Sequence, residues 1–537
     1  MRPLPRFNNS ISAPHPFRQL AGAGLSALVL TLLLSLFLAI AGAAGASAGV
    51  DDFAPILRLL GMTATQAALS TAVSLALGIG LAWALNRLRF PGRGLVIALL
   101  SAAIVTPGIV VAFGLVAVWG RSGVLAGLIA TLTGTRPDFS LFGLFGIVLA
   151  HAVLNGAYAA RVLLARLDAL PAAQLKLGQS LGLSSLTRFF VLDWPALAAA
   201  LPGLAAVIFL LCFTSFPIVL MLGGGPANQT LEVAIYSAVR LDFDLGRAVT
   251  LALVQLGSCA LIVAFGALLK GAALPVGSRP ARLWRELGLA RWVAIKLLVV
   301  LGALVLSPLA MVLIDGIPAL PLLFSRPSLF SALIASLGIA TASSLLAALL
   351  ALIAALARAG LTNPVLRVLF GAPLLAYLAV PSVVLALGSF LLVRDAGIAP
   401  ETVAPVVLVI ANALLVLPFS LATLGPPLDQ LATGRARLLR SLRLGGIRQF
   451  IAVELPLIRP ELALVLALGF AFSLGDLGVI ALFGTDQFTT LPLMMMRALG
   501  AYRTSDAAAL AAFMLLLNAG VLFALPRLIA GKTDARA

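Results

Sequence analysis

The chain has 537 residues, of which 62% are hydrophobic and only 10% charged. Soluble proteins carry about 25% charged residues, so this composition excludes a soluble globular class and places the chain in a bilayer. The net charge of +17 does not mark a nucleic-acid binder, because the 36 Lys and Arg are scattered between apolar runs and no nucleic-acid motif accompanies them.

In chain order, the first apolar run extends from Leu20 to about Gly45 and follows Arg2, Arg6 and Arg18. A signal-peptide core has only about 7–15 apolar residues, so this run reads as an uncleaved first span. Further runs of bilayer-crossing length lie near 64–86, 95–119, 141–166, 199–222, 248–269, 293–314, 331–357, 366–393, 403–424, 461–484 and 506–528, which makes twelve. They are too long and too evenly apolar for barrel strands. The expected fold is an all-α integral membrane protein of about twelve transmembrane helices, arranged as two parallel six-helix halves. Cys212 and Cys259 both fall inside apolar runs and read as small buried hydrophobes.

If the N-terminus is cytoplasmic, 27 of the 36 Lys and Arg fall in cytoplasmic segments and nine outside. That excess predicts both termini inside. The basic stretch Lys270 to Arg291 contains Gly277, Ser278 and Pro280 and reads as a linker. It separates a first transmembrane half, 1–275, from a second, 276–537. Six spans per half make the repeat parallel rather than inverted.

The repeat is visible directly. The stretch PAAQLKLGQSLGLSSLTRFFVLDWP, Pro171 to Pro195, aligns without a gap with ATGRARLLRSLRLGGIRQFIAVELP, Ala432 to Pro456, 261 residues on. The same offset pairs His151 with Asn412, Asp168 with Asp429, and Phe209 to Gly223 with Phe470 to Gly484. TPGIVVAFG at Thr106 to Gly114 matches VPSVVLALG at Val380 to Gly388 at an offset of 274. Each loop is basic and longer than a connection needs. Leucines at 175, 177, 181, 183 and 186 among polar residues predict short surface helices, broken near Gly182 and ended at Pro195. Two copies in equivalent places favour docking to two equivalent partners.

The ending of the first loop, Gly182, nine residues, then Leu192-Asp193-Trp194-Pro195, resembles the EAA loop of ABC-importer permeases; the second closes in Val453-Glu454-Leu455-Pro456. The chain departs from that pattern: Lys176-Leu177-Gly178 and Arg437-Leu438-Leu439 stand where the family has Glu-Ala-Ala, and its Gly is Arg443 in the second copy. If that site needs a left-handed backbone, a non-Gly residue costs about 1–2 kcal/mol, which would move the bend to Gly445-Gly446. Within the superfamily the chain is most similar to fused twelve-span thiamine permeases. The likeness lies in Phe90 to Arg93, Leu149-Ala150-His151, LCFTSF at Leu211 to Phe216, LGGGP at Leu222 to Pro226, Leu231 to Tyr236, and SLGDLGVIALFGTDQFTTLP at Ser473 to Pro492. Fused iron(III) permeases share the architecture and are the alternative.

The resemblance implies a type I ABC importer permease fold in the bacterial inner membrane, with one fused chain per complex. It implies two copies of a cytoplasmic ATPase and a periplasmic substrate-binding protein as partners. ATPase coupling then falls to Lys176, Leu177, Gln179, Ser180, Leu181 and Gly182, and to Arg437, Leu438, Arg440, Ser441, Leu442 and Arg443. ATP and Mg would be bound by the partner, since this chain has no Walker sequence and no hydrolytic triad, and is not itself read as an enzyme.

Candidates for the translocation pathway are Asp476, Ser215, His151, Asn412, Phe213 and Tyr377. Asp476 is the one acidic residue expected inside a span, where a carboxylate costs about 2.5–3.5 kcal/mol and must face protein or water. A passing cation would be a suitable partner, and a structural hydrogen bond is the alternative. Phe213, Phe216 and Tyr377 are candidates to flank a flat cation. His151 is the one histidine besides His15, so no zinc constellation and no resident cofactor is expected. The acidic residues of the outer loops, Glu232 and Asp506 among them, are expected to be mostly solvated. A secondary transporter would need more intramembrane ionisable groups than Asp476 and His151 supply.

Overall fold

Ten helices are long and apolar enough to cross a bilayer among the described residues, and two further pairs, each bent at a short break, bring the number to twelve. The computed structural model describes residues 16–45, 53–268, 288–359, 361, 363–434 and 446–530, and no strand occurs among them. The chain is an all-α, multi-span membrane protein. In hydrocarbon every backbone N–H needs an internal partner, which helices supply from their own sequence.

The elements of the first part are α1 (Pro16–Gly45), α2 (Ala54–Arg87), α3 (Arg93–Ile104), α4 (Gly108–Trp119), α5 (Val124–Thr133) and α6 (Leu144–Asp168). The first loop holds α7 (Ala172–Ser180), α8 (Ser185–Arg188) and α9 (Trp194–Ala198). It is followed by α10 (Leu201–Phe213), α11 (Pro217–Leu222), α12 (Leu231–Arg240) and α13 (Leu245–Leu268). The later part holds α14 (Gly288–Gly316), α15 (Leu320–Phe324), α16 (Pro327–Arg358), α17 (Pro364–Leu369), α18 (Ala372–Ala376), α19 (Ser382–Asp395) and α20 (Pro400–Gly434). After the second loop's α21 (Gly446–Gln449) come α22 (Leu455–Leu474), α23 (Gly478–Phe483), α24 (Leu491–Gly500) and α25 (Thr504–Ala530).

Four stretches read as continuous spans are broken in the middle. Pro107 and Pro381 each stand just before a new helix, with ψ of 139° and 153°, and the second break turns the chain by 102°. Proline lacks the N–H an uninterrupted helix would use and disfavours helical geometry in the residue before it. The other two breaks, at 214–216 and 475–477, lie at equivalent places in the repeat. Such half-helices at mid-membrane are tolerated where they line a cavity or are covered by protein.

The same contacts recur in both parts. The tightest pairing is α2 with α6 in one and α16 with α20 in the other. The Leu231 N–H donates to Thr63 Oγ1 at 3.0 Å, as the Leu491 N–H donates to Ser336 Oγ at 2.8 Å. The ion pair of Arg93 with Asp168 is matched by that of Arg367 with Asp429.

The leading helix of each part packs on the other part. Helix α1 lies on α16, α18 and α19, with Leu36 and Ile40 against Gly388, while α14 lies on α2, α4 and α6, with Pro308 against Gly114. Close helix contacts rest on small residues, as is usual in membranes. A Cβ on Gly78 would come within 2.4 Å of the Ala159 Cβ, whereas one on Gly61 of the same helix would meet nothing within 4 Å. Gly78→Val should therefore cost about 1–3 kcal/mol and lower the unfolding temperature of the detergent-solubilised chain by several degrees. Gly61→Ala should leave it unchanged or raise it slightly.

Candidate functional site

The first loop is built to show a set of side chains outward. Leu175 and Gly178 turn α7's inner face towards the protein, so Lys176, Leu177, Gln179, Ser180 and Leu181 are exposed, Leu177 by 60% and Leu181 by 67%. Gly182 ends the helix with φ +64°; its N–H bonds the Gln179 carbonyl and the Leu183 N–H the Gly178 carbonyl. This is the glycine-dependent helix ending that reuses orphaned carbonyls. The Ser184 hydroxyl then accepts from the Thr187 N–H and starts α8.

Downstream, each loop contains one π-helical turn, Phe189–Asp193 and Phe450–Glu454, again 261 residues apart. The loop helix does not end at Pro195, as its sequence led us to expect. Pro195 and Pro456 occupy the first turn of α9 and α22, where a missing N–H leaves no bond unmade. Of the second copy, Arg437, Leu438, Arg440, Ser441, Leu442 and Arg443 lie outside the described residues. Gly446 has φ +61°, so a left-handed glycine stands at one of the two positions named for the displaced bend.

Between the two parts lies a cavity of about 950 Å³, walled by α10 and α13 on one side and by α18, α19, α20 and α22 on the other. Three of the six pathway candidates line it: Asp476, Asn412 and Tyr377. Asp476 lies in the break before α23 and accepts from the Val479 N–H, at 3.2 Å to Oδ2 and 3.4 Å to Oδ1. The carboxylate therefore caps a half-helix and faces the cavity at once. Asn412 Nδ2 donates to Ser473 Oγ at 2.9 Å, and the buried Tyr377 hydroxyl has no hydrogen-bond partner among the described residues.

The other three candidates are not on the cavity wall. His151 is buried between α6 and α2, its Nδ1 2.9 Å from Ser70 Oγ. Phe213 is packed inward and stacks on Phe209 at 5.9 Å, and Ser215 lies in the break beside the cavity-lining Thr214. Phe216, also named for a flat cation, is fully buried against Tyr236. The aromatic side chains that do line the space with Tyr377 are Tyr158, Phe419 and Phe472. Nothing in their composition marks them; only the rotational setting of each helix does.

Two carboxylates expected in water are enclosed. Glu232 is fully buried on α12 with Gln255 Nε2 3.5 Å from its Oε1, and Asp506 is paired with Arg326 and Arg503. For Glu232 the reason is that α12 folds back against α13, α19 and α23 rather than leaving the protein as a loop. No cluster of three or more potential metal ligands occurs among the described residues.

No family model matches the chain. Individual relatives do. The thiamine transport system permease protein ThiP of Salmonella typhimurium is 36% identical over 507 residues, covering 92% of this chain and 94% of that protein. ThiP of Brucella melitensis is 34% identical over 546 residues, covering 100% and 99%. That of Escherichia coli is 36% identical over 510 residues, covering 92% and 94%.

The chain belongs to the thiamine transport system permease family.

These relatives give no support to the iron(III) alternative. In this permease the cavity at the meeting of its two parts is lined by one carboxylate among the described residues, that of Asp476.

Proposed function

We propose that this permease is the membrane pathway of an ATP-driven, binding-protein-dependent importer of thiamine or its phosphate esters. Its halves, 1–275 and 276–537, divide within 269–287, outside the described residues. The observation that carries the reading is the full-length likeness to thiamine permeases. A cavity with aromatic walls and one carboxylate, Asp476, agrees with a flat organic cation as cargo. The loops face the cytoplasm with both termini, and each receives one copy of a separate ATPase that binds ATP and Mg. A periplasmic receptor delivers substrate at the opposite face. Closure of the ATPase pair would draw the loops together and turn the cavity outward; hydrolysis would reset it.

The test is uptake of labelled thiamine into vesicles holding the chain and its ATPase, with receptor supplied. Uptake that needs ATP, ATPase and receptor together, and that excess iron(III) does not inhibit, is the expected result. Receptor-stimulated ATP turnover without movement of thiamine would overturn the substrate.

A further inference from the structure

Both loops close on a buried carboxylate at the end of the π-turn, Asp193 in the first and Glu454 in the second. The arginines that hold them come from places that are not equivalent. Asp193 is paired with Arg87, at the end of α2 in its own part, and both side chains are fully buried. The residue 273 positions after Arg87, the offset that relates Thr63 to Ser336, is Gly360, so the repeat supplies no second arginine there. Arg18, in the first turn of α1, takes its place. Its two terminal nitrogens donate to Glu454 Oε1 and Oε2, each at 2.9 Å, across 436 residues of sequence. Gln449 adds a bond of 2.7 Å to Oε1, and the Gly446 carbonyl accepts from Arg18 at 3.4 Å.

We propose that Arg18 is a positioning residue for energy coupling, which fastens the second loop to the exchanged helix α1. That helix packs on α18 and α19, and both line the cavity. A displacement of the second loop is thereby handed to the cavity wall through α1 as well as through the chain itself. Arg87 instead ties the first loop to α2 of its own part, which packs on the cavity-lining α10. A two-pronged arginine to carboxylate bond suits the task, because it fixes orientation as well as distance. The proposal rests on the importer reading above for its functional consequence, though not for its geometry.

The experiment compares Arg18→Glu, Glu454→Arg, the double exchange and Arg18→Lys in the assembled complex. The readout is thiamine moved per ATP hydrolysed, with the amount of ATPase bound per permease measured alongside. Arg18→Glu should keep its ATPase and lose at least about fivefold in that ratio. The double exchange should restore most of it, and Arg18→Lys, which meets one oxygen rather than two, should fall between. A purely structural role would lower the yield of complex and leave the ratio per complex alone. An unchanged ratio in Arg18→Glu, or a double exchange no better than the single change, would overturn the proposal.

Hydrogen exchange across 446–454 in the solubilised chain reads the contact with no partner present. There Arg18→Glu should speed exchange about tenfold, and an unchanged rate also overturns the proposal. If Arg18→Glu does not insert, Glu454→Gln, which removes the charge and keeps the shape, is read by the same criteria. Should the wild type move no thiamine, the importer reading fails by itself while exchange still decides the contact.

Discussion

Replacing Leu177 and Leu181 together by Asp should strip the ATPase from the purified complex, by about a hundredfold or more in affinity, and leave the chain inserted and folded. Both leucines stand more than half exposed on a helix whose opposite side is anchored by Leu175. Burying one leucine against a partner contributes about 1.5–3 kcal/mol. Putting a carboxylate in the same place adds a desolvation cost to the lost contact. Since α7 lies outside the spans, no helix packing within the membrane changes. Co-purification from detergent measures the effect, and ATPase retained within about threefold of wild type would mean that this loop is not the dock.

A comparable loss is expected inside the membrane from Asp476→Asn, with uptake down at least about tenfold and the complex intact. Asn keeps an oxygen for the Val479 N–H, so the cap on α23 survives and the negative charge alone is removed. At an effective dielectric near 20, a cation about 4 Å from the carboxylate gains about 4 kcal/mol, an upper bound on what the charge supplies. Asp476→Ala should lose uptake and about 1 kcal/mol of stability as well, because the cap goes with it. Uptake at the wild-type rate in the Asn variant would leave Asp476 with the capping role only.

Much of the architecture can be read from the residues because two signals are strong: apolar runs of bilayer length, and a loop repeated without a gap. The breaks at Pro107 and Pro381 also have a local cause in the prolines. The break at Gly475 and Asp476 contains no proline, and only its likeness to Thr214 to Pro217 points to it. Facing was harder to foresee. His151 and Asn412 are equivalent in the repeat, yet His151 turns to Ser70 on α2 and Asn412 turns to the cavity. Their spans are apolar on all sides, so periodicity does not reveal which side meets protein. Glu232 escaped for a different reason. A short helix between two spans looks like an outer loop until its packing is known; its one clue is Thr230-Leu231 echoed by Thr490-Leu491.

The placement of α1 also sets a timetable for synthesis. Its resting surface, α16 with α19, is translated roughly 300 residues later, which at about 5–20 residues per second is a delay of roughly 15–60 s. Until then the one earlier-made helix on which α1 packs strongly is α13, itself about 200 residues later than α1. The sequence of α1 from Leu20 to Ala43 carries no charged side chain, so the nascent helix can wait in lipid meanwhile. Arg18, just outside that stretch, meets Glu454 only when five-sixths of the chain has been made.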